Sequence, residues 1–145
     1  MQEEKHIAAL KEVREAIEES IRDSRGLLPR QRRLMAALSL GTQHIMEVWL
    51  HKAKAIKPGA TIKHEWFSAE GHKLKIRMIG ILTKDIKSLK NADRILEIAC
   101  VIEHGRNDIV YGAPLRDDSV LREKIDLFLE LKKEIESVMG EIAWI

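Results

Sequence analysis

Arg106, Asn107 and Tyr111 are the residues of this 145-residue chain whose types and spacing point most directly to chemistry. They stand in the run Glu103-His104-Gly105-Arg106-Asn107-Asp108-Ile109-Val110-Tyr111-Gly112. A guanidinium can grip phosphate through two parallel N–H donors. An amide beside it can orient a hydroxyl, a base or the local backbone. Asn107 and Tyr111 are four residues apart and share one helical face. Arg106 and Tyr111 are five apart, about 140° round a regular helix, so they converge only on a distorted helix or across a two-fold dimer. Gly105 and Gly112 flank the cluster, and glycine in such a position marks backbone shape that matters. The plainer alternative is a helix end whose Arg106 pairs with Asp108 or Glu103 and whose Tyr111 sits at the core edge. His104 is a candidate displaced acid or base. Two residues differ by about 200° on a helix, so it points away from Arg106 and reads more simply as a helix-end histidine near the negative dipole.

Other polar clusters are weaker. His44, Glu47 and His51 share one helical face and are of metal-ligating type. They lack the tighter His-Glu-x-x-His spacing and show no fourth ligand, so we read a polar stripe opposite the core and expect no metal site. His64, Glu65 and His72 fall in an irregular stretch and carry less signal. Arg25, Arg30, Arg32 and Arg33 gather at the start of a helix, where phosphate binds readily, but Glu18, Glu19 and Asp23 lie close by to neutralise them. Cys100 is the one cysteine. It rules out an intrachain disulfide and a cysteine-based zinc site, and its apolar neighbours describe a buried structural thiol. Trp49, Trp66, Phe67 and the apolar end Ile142-Ala143-Trp144-Ile145 mark either core or an interface with another subunit.

The run Arg106-Asn107-Asp108-Ile109-Val110-Tyr111-Gly112 resembles the signature of HEPN domains, the higher-eukaryote and prokaryote nucleotide-binding helical family. That signature is Arg, usually Asn, three variable positions and then His, often followed by Gly. The order of elements is also similar: a long apolar second helix, here Leu34 to Leu50, then a motif closing one helix, a short break and a final amphipathic helix, here Leu115 to Ile142. The resemblance covers most of the chain as architecture and about seven residues as motif. It implies a nucleotide- or RNA-contacting homodimer with the motif in the dimer cleft, Arg106 and Asn107 as phosphate contacts and Tyr111 in the histidine's place. Many members are metal-independent ribonucleases, often toxins; others are non-catalytic partners of a minimal nucleotidyltransferase in toxin–antitoxin systems. The departure at Tyr111 matters, because a phenol ordinarily titrates near pH 10, about three units too high for a general base at neutral pH. Tyr111 can still donate a hydrogen bond or stack on a base. The resemblance therefore implies a non-catalytic or weakly catalytic module, with Arg106 and Tyr111 as the catalytic residues if cleavage occurs.

The elements that must position these residues read as helices. Ile7, Leu10, Val13, Ile17 and Ile21 recur at helical spacing over residues 2–23, and Gly26 closes that helix. A second helix spans about 28–56, with Pro29 just inside its start and Pro58-Gly59 beyond its end. Leu34, Ala37, Leu38, Gly41, Ile45, Val48 and Trp49 form its stripe, and its small residues Ala36, Ala37, Ser39 and Gly41 would let another helix approach closely. Residues 73–82 alternate like a strand at first, but Ile79, Leu82, Ile86 and Leu89 continue at helical spacing and no partner strand is evident, so helix is favoured. Asn91 or Asp93 caps a helix through Ile95, Leu96, Ala99 and Ile102 that runs into the Arg106 segment until Ala113-Pro114 breaks it. Ser119 or Asp118 caps the last, whose stripe is Leu121, Ile125, Phe128, Leu131, Ile135, Val138 and Ile142.

The expected fold is a single all-α domain over residues 1–145, an up-down antiparallel bundle of four to five helices. Composition agrees: 33% charged and 4% aromatic, with 8 glycines and 3 prolines, does not suit an all-β sandwich. Lys and Arg number 25 against 23 Asp and Glu, which excludes a uniformly basic nucleic-acid coat but leaves room for a local basic patch. No signal peptide or membrane-spanning run is visible, so a cytoplasmic location is expected. No cofactor motif stands out. Few amides, with abundant Ile, Lys and Glu, suit a thermophile. Besides the nucleotide- or RNA-contacting reading and the ribonuclease alternative, the apolar C-terminus and the small-residue face allow a protein-interaction module without nucleotide chemistry.

Overall fold

A computed structural model describes residues 3–68 and 71–140, apart from the side chains of Glu3 and His72. The helices are α1 (Glu3–Arg22), α2 (Gln31–Lys52), α3 (Gly71–Ile79), α4 (Ala92–Glu103), α5 (Arg106–Tyr111) and α6 (Ser119–Met139). The four long ones form an all-α bundle, and α3 and α5 are short additions to it. Among the described residues no helix is long and apolar enough to cross a membrane.

The direction of each long helix follows from what touches what. His6 at the start of α1 meets His44 and Glu47 late in α2, while Asp23 just after α1 meets Arg30 just before α2. The two helices are therefore antiparallel. Asn91 and Arg94 at the start of α4 reach Glu134 and Glu130 near the end of α6, and Lys124 near the start of α6 reaches the carbonyls that end α4. These two are antiparallel as well.

Helix α2 is the centre, buried on most of its circumference from Leu34 to Leu50. Gly41 is why it can be. A Cβ built there would stand 2.8 Å from Val13 Cγ1 on α1 and 2.9 Å from the Phe128 ring on α6. The small-residue face thus does what its composition suggests, admitting two helices at close range. The stripes of α1 and α6 meet it through Leu10, Val13 and Ile17 and through Leu121, Ile125, Phe128, Leu131 and Ile135, all buried. Ile21, the last member of the expected α1 stripe, is 60% exposed, because α1 ends beside it.

Several boundaries differ from expectation. The helix expected over 28–56 is shorter. A 3-10 turn at Leu28–Arg30 precedes α2, and the chain leaves the helix at Lys52 through Lys54, which has φ 55°. Ile56 instead pairs with Leu82 in an isolated antiparallel bridge, flanked by Lys57 N–H to Ile81 C=O and Thr83 N–H to Ala55 C=O, each 2.8 Å. That pairing also ends the 73–82 segment as a helix: α3 stops at Ile79, and Ile86 lies in a separate 3-10 turn capped by Asp85, whose carboxylate accepts the Lys87 N–H. Asn91 does precede α4, but in the left-handed region, and its amide bonds Glu134 rather than the helix end. Asp118 precedes α6 without a side-chain cap, while Asp117 accepts the Ser119 N–H and hydroxyl. The expected stripe member Ile142 and the apolar end through Trp144 and Ile145 lie outside the described residues.

Candidate functional site

The continuous helix expected through the Arg106 motif is broken in two. Gly105 takes φ 75°, a conformation that disfavours any side chain, and this turn separates α4 from α5. At the other end, a Cβ on Gly112 would stand 2.4 Å from the Asp108 carbonyl oxygen. Both flanking glycines are therefore required by backbone shape. Lys124 secures the break from α6. Its buried ammonium donates to the carbonyls of Val101, Ile102 and His104 at 3.0, 2.7 and 2.7 Å. All three of its protons are used on carbonyls at the end of α4 that the helix itself cannot satisfy. Arg32 holds the far end of α5 through the Gly112 carbonyl at 3.2 Å, and Ile109 anchors α5 in the core.

So placed, Arg106 is largely covered, with 15% of its side chain exposed. Its Nε donates to Ser39 Oγ at 3.1 Å and one terminal nitrogen to Asn107 Oδ1 at 2.8 Å. Behind it lies Glu103, buried, 3.9 Å from Arg106 Nε. One Glu103 oxygen accepts the Ser39 hydroxyl at 2.7 Å, and the other accepts Nδ1–H of His64 at 2.8 Å. The plainer expectation that Arg106 lies beside Glu103 is thus met, but the pair belongs to a larger network. His64 reaches it from the 3-10 turn His64–Ser68, in the connection between α2 and α3. A cleft of about 220 Å³ opens over these groups, lined by His64, Glu65, Ser68, Glu103, Gly105, Arg106, Asn107 and Asp108.

Chemically, the cleft offers a fixed guanidinium, an amide and an imidazole oriented by a buried carboxylate. Fixing Nδ1 leaves His64 Nε2 as the ring nitrogen without a protein partner among the described residues. Glu65 and Asp108 bring negative charge to the same cleft, so its positive character is local. Tyr111 does not join it. It is 77% exposed and does not line the cleft, as the five-residue spacing from Arg106 foretells. His104 is also exposed and outside the lining. Sequence reasoning did not bring His64, Glu103 and Ser39 together, since they come from three separate segments.

The remaining candidates fall elsewhere. In the arginine cluster, Arg25 and Arg30 both bond Asp23, and Arg30 also reaches Glu19, whereas Arg32 bonds the Gly112 carbonyl rather than an acidic neighbour. Glu18 instead pairs with Arg14 and Arg22. Cys100 is half-buried, and burial with Glu103 nearby pushes its thiol up to about 11, which keeps it protonated and inert at neutral pH. Trp49 and Phe67 are core, and Trp66 packs against it. The side chain of His72 lies outside the described residues.

The stripe of His44, Glu47 and His51 corrects its expected place. Glu47 is 3% exposed, because the start of α1 and the backbone at Ile62 cover this face of α2. Its two oxygens are taken by the Ile62 N–H at 2.7 Å and by His6 Nε2 at 3.3 Å. Burial holds His6 down at about 4 and lowers His44, and it raises Glu47. Comparison with family models, curated proteins and solved structures returned no match.

Proposed function

We propose that the chain is a HEPN-like helical module that contacts RNA or a nucleotide through Arg106 and Asn107. The supporting observation is the guanidinium of Arg106, held in one orientation by Ser39 and Asn107 at the wall of an open cleft. A guanidinium ordered in advance loses little freedom on gripping a phosphate. Because Glu65 and Asp108 flank it, the cleft takes a single phosphate and does not attract a polyanion at long range. Tyr111 is exposed one helical turn beyond Asn107, outside the cleft lining, and in this reading it stacks on a base of the RNA beyond the gripped phosphate. The likeness to the family further suggests a homodimer and a nucleotidyltransferase partner within a toxin–antitoxin pair.

Fluorescence anisotropy with a labelled RNA oligonucleotide tests this. Arg106→Ala is expected to weaken binding roughly 10- to 100-fold, the loss of one charge-assisted contact. The logarithm of the affinity should fall with the logarithm of salt at a shallow slope of about 0.7, as for a single phosphate on single-stranded RNA. Unchanged binding in a folded Arg106→Ala protein would sink the proposal and favour the interaction-module reading.

The His64–Glu103 pair favours a second reading, an endoribonuclease that needs no metal. A 2′-hydroxyl gives its proton to His64 Nε2 and its oxygen attacks phosphorus. The 5′-oxygen leaves and takes a proton from water, while Arg106 neutralises the charge gathering on the phosphoryl oxygens. Here His64 takes the acid–base role that Tyr111 cannot fill. Incubation of labelled RNA with the protein in EDTA should yield 2′,3′-cyclic phosphate ends that His64→Ala abolishes. Intact RNA across a wide pH range would leave the binding reading alone.

A further inference from the structure

The sequence shows three ligand-type residues on one face of α2 and no fourth. The fold supplies one from α1. His6 is buried, and its Nδ1 lies 2.8 Å from Nδ1 of His44. Its Nε2 lies 3.3 Å from Glu47 Oε2. One donor atom each from His6, His44 and Glu47 falls within 4.8 Å of the others. His51 stands one further turn along α2, its ring centroid 5.8 Å from that of His6. From this geometry we propose a divalent transition-metal site, zinc by preference, on His6, His44 and Glu47, with His51 as the fourth ligand.

The donors suit such an ion. Imidazole nitrogens with one carboxylate are the ligands of Zn(II) and its neighbours, whereas Mg(II) and Ca(II) take oxygen sets. Tetrahedral bonds of about 2.0–2.1 Å place donor atoms roughly 3.3 Å apart, so modest side-chain rotations bring the group to bonding distance. The carboxylate is already fixed, because Glu47 Oε1 accepts the Ile62 N–H at 2.7 Å. Such second contacts orient metal ligands and stiffen their sites. Stability alone gives no reason for the cluster. Gathering imidazoles and a carboxylate under the start of α1 has a desolvation cost that apolar side chains would avoid. A bound cation offsets that cost and ties the first turns of α1 to the second half of α2. The site is independent of the Arg106 cleft and uses none of its residues.

Equilibrium dialysis of the untagged full chain, stripped with EDTA and returned to Zn(II), decides the matter. One zinc per chain is expected, with a rise in the thermal midpoint. His44→Ala and His6→Ala should each weaken binding by roughly 100-fold or more, and His104→Ala should leave it unchanged. His44 is only partly buried, so its variant remains informative if His6→Ala does not fold. In the wild type, zinc should shift the ring 15N resonances of His6 and His44. Fewer than about a tenth of an ion per folded chain, full binding by His44→Ala, or shifts confined to other histidines would each overturn the proposal.

Discussion

Glu103 accepts Nδ1–H of His64 at 2.8 Å across 39 residues of sequence, and in doing so it sets which ring nitrogen of His64 is left for chemistry. Glu103→Gln removes the charge and keeps the volume. The Ser39 hydroxyl can still donate to the amide oxygen, but the amide nitrogen then faces His64 Nδ1. His64 is expected to change tautomer or swing out, seen as altered ring 15N shifts. The lost charge-assisted bonds should lower stability by about 1–3 kcal/mol, read from urea unfolding. Unaltered His64 shifts would show that Glu103 does not orient the ring.

Lys124→Met tests whether the break before α5 depends on its clamp. Methionine keeps the aliphatic stem but leaves the carbonyls of Val101, Ile102 and His104 without their donor. A loss of about 2–3 kcal/mol in urea unfolding is expected, at the upper end for unsatisfied buried groups because three are involved. RNA binding should fall as well, since Arg106 follows the clamped turn by a single residue. Lys124→Arg should rescue it only in part, because the coplanar donors of a guanidinium cannot match three carbonyls arranged around a single nitrogen.

Gly41→Ala should destabilise the bundle by roughly 1–3 kcal/mol, as overpacking does. The added methyl meets Val13 and Phe128 from opposite helices, so relief on one side does not relieve the other. The double variant Gly41→Ala with Phe128→Leu should recover part of the loss. Additive effects in a double-mutant cycle would contradict the close contact.

Asp23 is one source of pH dependence in the fold. Hydrogen bonds from Arg25, then from Arg30, hold its carboxyl well below the usual carboxylate range. The folded pKa is depressed, so the unfolded chain binds more protons as the solution becomes acid. The contribution of Asp23 to stability is present above about pH 4 and is lost as pH falls through its folded value. The difference in urea midpoint between the wild type and Asp23→Asn should be constant from pH 5 to 7 and shrink steadily towards pH 2. A difference unchanged at pH 2 would mean that the pairing does not stabilise the fold.

Periodicity made the long helices legible, because α1, α2 and α6 each bury an apolar stripe against a neighbour. The glycines around Arg106 were legible as well, since each marks a backbone shape that a side chain would oppose. His64 was not, because a 3-10 turn has no apolar period and its meaning comes from a carboxylate 39 residues away. His6 left a fainter trace. It stands four residues before Leu10 and seven before Val13, in register with the buried stripe of α1. A histidine in that register needs a polar partner beneath it, and His44 and Glu47 are what it finds. The burial of Glu47 could not be read from α2 alone, because it depends on the chain at Ile62 crossing over it.

The Ile56–Leu82 bridge has a consequence for the order in which the molecule assembles. It closes a loop that contains both the turn bearing His64 and α3. The bonds that build the cleft span 64 residues from Ser39 to Glu103 and 67 from Ser39 to Arg106. Contacts of such separation follow local helix formation, because chain closure must precede them. Helices α1 and α2 can pair through an eight-residue connection while the cleft is still unformed. Refolding monitored at Trp49 should therefore run ahead of any probe at His64, and a chain arrested between the two would be compact, helical and without a site.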